Sequence, residues 1–226
     1  MRSPGALAGG LALALLGAGC ASAPRPVPIA TGAEPTAEAA GQAAALAARA
    51  RAAVSRCDEE PDAAARSALA REAVEAGQRC EELAPSAPGC DYALALALGV
   101  QAREQKSTAL SKLPTMVRLL RAAAERDPGL DFAGPNRVLA QVLVRAPGWP
   151  LGPGDPEAGV ESARRAVTLA PDHAPNQAAL AEALHAAGDE PGAAAAARRA
   201  VELARQAVAA GQPEGARWLR EAERLP

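Results

Sequence analysis

The sequence predicts an all-α fold, a solenoid of about four helix pairs with a C-terminal capping helix. Three observations carry that prediction. Alanine dominates the chain and apolar residues recur at helical spacing, while Phe, Trp and Tyr together make up 2% of the residues. Alanine has the highest helix propensity, and scarce aromatic and β-branched residues argue against strands. Residues 164–170 (RRAVTLA) return as residues 198–204 (RRAVELA), six of seven identical at an offset of 34, which is the tetratricopeptide period. Proline stops recur after helical segments, at Pro85, Pro128 and Pro171. The competing explanation, a chance echo in an alanine-rich chain, does not account for the agreement of period, proline stops and a glycine turn.

Helices are expected at 38–56, 62–83, 90–105, 110–127, 135–145, 156–170, 174–187, 191–210 and 213–225. The second ends in 81–85 (EELAP), the fourth in 124–128 (AERDP) and the sixth at Pro171. Proline lacks an N–H and restrains the residue before it, so each is a helix stop. These three prolines are spaced by 43 residues, so the first two units each exceed the 34-residue period by about nine. After Pro128 the excess falls in 146–155 (APGWPLGPGD), a long loop between paired helices; after Pro85 it falls near 105–114. In the seventh helix Leu180, Ala181 and Leu184 form an apolar stripe, and Gly188 and Asp189 make the following turn. Ala193, Ala197 and Ala200 let the eighth helix approach its predecessor closely. The ninth, with Pro213 in its first turn and Trp218, Leu219 and Leu225 on one face, caps the stack.

Three segments precede or make up the body: a signal peptide at 1–19, a tether at 20–37 and the helical domain at 38–226. Arg2 supplies a positive start, 6–16 an apolar run, and Gly17, Ala18 and Gly19 lead to Cys20. A run of about ten residues falls short of the roughly 20 needed to cross a bilayer as a helix. A thiol at the first mature position is what lipoprotein processing requires, so Cys20 is the expected lipidation site. Gly17 stands where a leucine is usual; an ordinary secretory signal with a chance cysteine is the alternative. One acyl chain binds membranes weakly, so stable anchoring needs several. Ala21 and Ser22 follow without an aspartate, which favours the outer over the inner membrane and places the body on the periplasmic side. Residues 23–36 (APRPVPIATGAEPT) have too little apolar surface to fold and read as a disordered spacer.

The net charge of -2 and the interleaving of basic with acidic residues leave no basic stripe, and aromatic stacking platforms are lacking. Nucleic acid is therefore excluded as a partner. Of the cysteines after Cys20, Cys57 and Cys80 would be separated by most of a helix, roughly 27 Å at about 1.5 Å per residue. Bridging needs α-carbons within about 7 Å, so a Cys80–Cys90 disulfide across the Pro85 and Pro88 turn is expected, with unpaired thiols as the alternative. His173 and His185 form no zinc motif, and no P-loop is present, Lys106 and Lys112 being the two lysines. The carboxylate pairs Glu59 and Glu60, Glu81 and Glu82, and Asp189 and Glu190 sit at turns or helix ends beside arginines, where solvated charge is their ordinary role. No catalytic residue, metal or cofactor is expected, and the chain does not read as an enzyme.

Tyr92, Phe132, Trp149 and Trp218 stand out because the chain has so few aromatics. Tyr92 is expected in the core. Pro147, Gly148, Trp149 and Pro150 form the candidate partner or ligand loop, since a tryptophan flanked by prolines is a pre-ordered apolar contact. The alternative is that Trp149 plugs the loop onto the helix pair.

Residues 133–139 (AGPNRVL), 145–150 (RAPGWP), 169–176 (LAPDHAPN) and 180–182 (LAE) resemble the T-component family of TRAP transporters. The resemblance covers roughly 80–205, and the APGWP loop before a helix ending LAPD is its most specific part. It implies a periplasmic lipoprotein of tetratricopeptide-like helix pairs that associates with a solute-binding protein, forms homo-oligomers and offers an apolar channel to a hydrophobic small molecule. Trp149 with its prolines, and Gly134 with Pro135 as the lead-in to their helix, are the residues that carry over. A generic scaffold lipoprotein for an outer-membrane or envelope assembly is the competing function.

Overall fold

The computed structural model describes residues 36–225. The expected signal peptide, Cys20 and nearly all of the tether lie outside the described residues. The described residues form nine α-helices and no strand. These are α1 (Ala37–Glu59), α2 (Ala63–Leu83), α3 (Pro88–Glu104), α4 (Ala109–Arg126), α5 (Leu130–Arg145), α6 (Pro156–Leu169), α7 (Ala174–Ala186), α8 (Glu190–Ala209) and α9 (Gly215–Ala222).

Local chemistry sets most of the boundaries. Thr36, Asp62, Asp155 and Asp189 each accept a backbone N–H three residues on, at the starts of α1, α2, α6 and α8. Proline occupies the first turn of α3, α6, α7 and α8, where its missing N–H costs nothing. Asp155 and Asp189 are 34 residues apart, and Ala166 and Ala200, equivalent in the repeated heptapeptide, are both fully buried. The second copy lacks a proline where the first has Pro171, so α8 continues to Ala209 whereas α6 ends at Leu169.

Consecutive helices pack together, and the odd-numbered ones also touch: α1 meets α3, α3 meets α5, α5 meets α7 and α7 meets α9. Even-numbered helices do not touch one another among the described residues. The odd helices thus form one layer and the even helices a second. Around α1 to α3 the contacts are alanines, among them Ala43, Ala47, Ala50, Ala76 and Ala93. Each buried methyl is worth only about 0.8 kcal/mol, so close backbone approach must compensate for small side chains. Gly77 illustrates it: a Cβ there would lie 2.9 Å from the Cα of Leu94. Larger residues, Tyr92, Leu119, Leu120, Leu139 and Leu143, fill the space between α3, α4 and α5. At one edge Arg103 and Arg217 both reach Asp58, the latter at 4.0 Å, bringing α9 beside the end of α1.

The expected helix at 135–145 is met by the regular part of α5, which starts at Gly134; before it Asp131, Phe132 and Ala133 make a left-handed turn. One set of helix bounds needs correction. α9 spans only Gly215–Ala222; Pro213 precedes its cap, and Leu225 lies beyond it while still packing on Ala181, Leu184, Ala193 and Ala196. The extra residues near 105–114 form a 3-10 turn (Lys106–Thr108) and the start of α4, with Pro114 inside that helix. Among the described residues, no helix is long and apolar enough to cross a membrane.

Candidate functional site

The loop 146–155 is held in one shape by its own backbone. Asp155 N–H donates to Leu143 O (2.9 Å), Gly154 N–H to Pro147 O (2.9 Å), and Leu151 and Gly152 N–H to Gly148 O (3.0 and 3.2 Å). Gly154 is required, since a Cβ would fall 2.2 Å from Ala146 O. The Trp149–Pro150 peptide bond is cis. At the loop's base Arg145 pairs with Glu182 at 2.7 Å, joining α5 to α7. The result carries Trp149, 90% exposed, and Leu151, 72% exposed. Trp149 therefore does not plug the loop onto the helices. Pro153 instead approaches α4.

Cys80 and Cys90 are bonded, with α-carbons 5.3 Å apart, tying the end of α2 to the start of α3. Cys57, in the last turn of α1, is a free buried thiol that donates to Arg66 O in the first turns of α2 at 3.6 Å. The disulfide brings its sequence neighbours Glu81 and Asp91 together. Asp91 is 2% exposed and accepts from Arg126 at 2.8 Å. Glu81 has a buried Oε1 that accepts no hydrogen bond. Burial, then the negative charge of Asp91, push the Glu81 carboxyl up to about 7. Burial also raises Asp91, while the hydrogen bond from Glu81 and the Arg126 charge pull it back. A proton resolves the pair: Glu81 holds it and donates to Asp91, which stays ionised against Arg126. The expectation that both Glu81 and Glu82 are solvated is therefore corrected for Glu81; Glu82 is exposed.

This pair has a pH signature. Because the folded-state pKa of Glu81 is raised, its contribution to stability is complete below about 4.5 and is lost as pH rises towards 7. Glu81→Gln, which cannot ionise, is expected to melt several degrees above the parent at pH 8 and level with it at pH 5. Thermal melts at the two pH values check this; a constant offset at both would refute the shared proton.

A second cluster forms where α5 begins. Asp131, Phe132 and Ala133 have φ of 51°, 54° and 62°, a left-handed run without glycine. Such residues cost on the order of 1 kcal/mol or more each and persist only when their surroundings hold them. Tyr92 Oη donates to Asp131 Oδ2 at 2.6 Å, and Arg137 donates to the same oxygen at 3.0 Å and to Asn176 Oδ1 at 3.0 Å. Asn176, fully buried, donates to Phe132 O (3.0 Å), Ala166 O (3.0 Å) and Ala170 O (3.1 Å). Tyr92 is in the core as expected, and burial raises its hydroxyl well above the ordinary range. Gly134, singled out as the lead-in to the helix, sits where any side chain would strike Tyr92.

The network fixes Phe132 outside the core, its ring stacked on His173 at 4.8 Å and 11°. Trp218 meets His173 edge-on at 5.0 Å. His185, on the other side of the helix pair's sequence, faces Glu190 instead, so the two histidines are not brought together. Among the described residues no group of three or more His, Cys, Asp or Glu is placed to hold a metal. Asp131, Arg137, Asn176 and Asp91 were not singled out as site residues by the sequence, although Arg137 and Asn176 fall within 133–139 and 169–176; each also bonds a partner 35 or more residues away. No protein-family model matches this chain, and no curated protein does.

Proposed function

We propose that this chain is a lipid-anchored binding protein of the periplasm, built as a tetratricopeptide-like solenoid, that serves as the accessory T component of a TRAP-type uptake system. Its partner is a solute-binding protein, and its cargo a hydrophobic small molecule. The observation that carries this reading is the loop 146–155, which displays Trp149 and Leu151 to solvent on a braced backbone. Large apolar groups held rigidly in water lose little entropy on docking and are typical interface anchors. The layered odd and even helices suit such a scaffold, because each pair presents one face while resting on its neighbours.

Trp149→Ala is expected to change folding stability by less than about 0.5 kcal/mol, as exposed substitutions do, while abolishing partner capture. Affinity isolation from membranes of cells expressing the parent or the variant checks both the partner and the loop. A solute-binding protein recovered with the parent and lost with the variant supports the proposal. Recovery of an envelope-assembly protein in its place would favour the scaffold function, and a large drop in melting temperature would return Trp149 to a structural role. The anchor has its own test: Cys20→Ser is expected to release a folded protein from the membrane fraction, and retention of that variant would overturn lipidation at Cys20. Native mass spectrometry of the detergent-extracted protein reports homo-oligomers and bound apolar molecules together.

A further inference from the structure

We infer that the helical stack closes on itself through an electrostatic clasp centred on Asp58, and that α1–α3 and α7–α9 are two jaws that part as ionic strength rises. The clasp lies away from the 146–155 loop, and the inference does not rest on the function proposed above.

The joint between the jaws is the first indication. In the odd-numbered layer α3 touches α5 far more sparsely than α1 touches α3 or α5 touches α7. The polar links across that joint are side-chain hydrogen bonds, from Tyr92 to Asp131 and from Arg137 to Tyr92. Units of a stacked array rest on their neighbours alone, so bending concentrates where neighbouring contact is thinnest. Each jaw, by contrast, is tied within itself. On one side Asp58 accepts from Arg103 and Glu104 from Arg66, joining α1, α2 and α3. On the other, α9 starts hard against α8, where a Cβ on Gly215 would lie 2.8 Å from Val208 N. Trp218 and Leu219 then pack on Ala174, Leu203 and Ala204.

What holds the jaws together is the second indication. Among the described residues the backbone of α9 touches only α7 and α8, and that of α1 only α2 and α3. The two jaws face each other across a groove of about 690 Å³. The α1 and α3 wall carries Asp58, Glu59 and Arg103, an excess of one negative charge. The α9 wall carries Arg217, Arg220 and Arg224 against Glu214 and Glu221, an excess of one positive charge. The walls therefore attract, and their closest ion pair is Arg217 with Asp58 at 4.0 Å. The uncharged lining is Ser55, Pro213 and Ala216, so no large apolar side chain seals the groove. Exposed ion pairs contribute little and are screened by salt. A weak attraction acting opposite a thin joint holds the jaws at low salt and releases them at high salt.

The test places nitroxide labels on the two walls of the groove through Ser55→Cys and Ala216→Cys, both exposed positions. The full-length protein also carries Cys20→Ser and Cys57→Ala; with Cys80 and Cys90 bonded, the introduced thiols are the two that react. Label-to-label distances are measured by electron paramagnetic resonance from about 0.01 M to about 1 M sodium chloride, over which the Debye length falls from about 30 Å to about 3 Å. One short-distance population is expected at low salt, and a longer one should grow severalfold at high salt with an unchanged circular dichroism spectrum. Asp58→Asn should show the long population already at low salt, whereas Asp58→Glu should keep the short one and its salt response. A distance distribution that salt does not move would overturn the inference. So would an Asp58→Asn protein that stays closed at low salt, or a long population that appears only together with loss of helix.

Discussion

Replacing Cys80 and Cys90 together by alanine is expected to lower the unfolding free energy by about 3 kcal/mol, roughly 6–12 °C in melting temperature for a domain of this size. The estimate comes from the short loop closed by residues ten apart in sequence. Both sulfurs are buried, in a cluster made otherwise of alanines. Leu46 and Leu83 pack against this cluster but do not replace the covalent cross-link, and the turn it spans contains Ser86 in a left-handed conformation (φ 65°). Alanine is the informative replacement, because serine would bury two hydroxyls and add a separate cost. Cys57→Ala provides the contrast: it removes one buried sulfur without releasing the chain, and about 1 kcal/mol is expected. Denaturant unfolding of the three proteins under oxidising conditions checks the ordering. A double variant within about 1 kcal/mol of the parent would show that α2 and α3 hold their turn without the bridge.

The same hairpin shows how far sequence reasoning reaches. Its helix stop, its disulfide partners and the exclusion of Cys57 follow from proline chemistry and the rise of an α-helix, both local properties. The proton shared by Glu81 and Asp91 does not. It depends on the disulfide bringing those residues together and on Arg126 arriving from α4. In the sequence Glu81 is indistinguishable from Glu82, which is exposed. The loop at 146–155 was legible as a loop from its glycines and prolines. Which way its tip points was not, because Gly154 passing over Ala146 O decides it, and a plug and a displayed anchor have the same sequence. The left-handed turn at 131–133 was hidden for a further reason. Left-handed backbone is normally signalled by glycine or asparagine, and here the preference of three ordinary residues is overridden by Tyr92 and Asn176, about 40 positions away on either side.

That override makes Gly134 the position with the second large expected effect. A Cβ at Gly134 would lie 2.4 Å from Tyr92 Oη, 2.7 Å from its Cζ and 2.8 Å from Asp131 Oδ2. Tyr92 is 1% exposed and packs with Leu119, Leu120 and Leu143, so its rigid ring has nowhere to withdraw. Overpacking of this kind costs about 1–3 kcal/mol, and losing a hydrogen bond to a charged acceptor adds about 1.5–3 kcal/mol when it breaks fully. The two losses overlap, and about 3 kcal/mol is expected for Gly134→Ala, a large part of a typical domain's 5–15 kcal/mol. Tyr92→Phe removes the nearest clashing atom along with the bond and is expected to cost about 2 kcal/mol alone. The double variant should then be more stable than the sum of the single losses predicts, by at least about 1 kcal/mol, since the second change relieves what the first imposes. Additive losses would mean that Gly134 is required for some reason other than its contact with Tyr92. The coupling reaches the surface as well. If Asp131 loses Tyr92, one of the groups holding the left-handed turn is gone, and Phe132 should leave its stack on His173; the Trp218 emission, edge-on to that histidine, should shift in Gly134→Ala and not in Cys57→Ala.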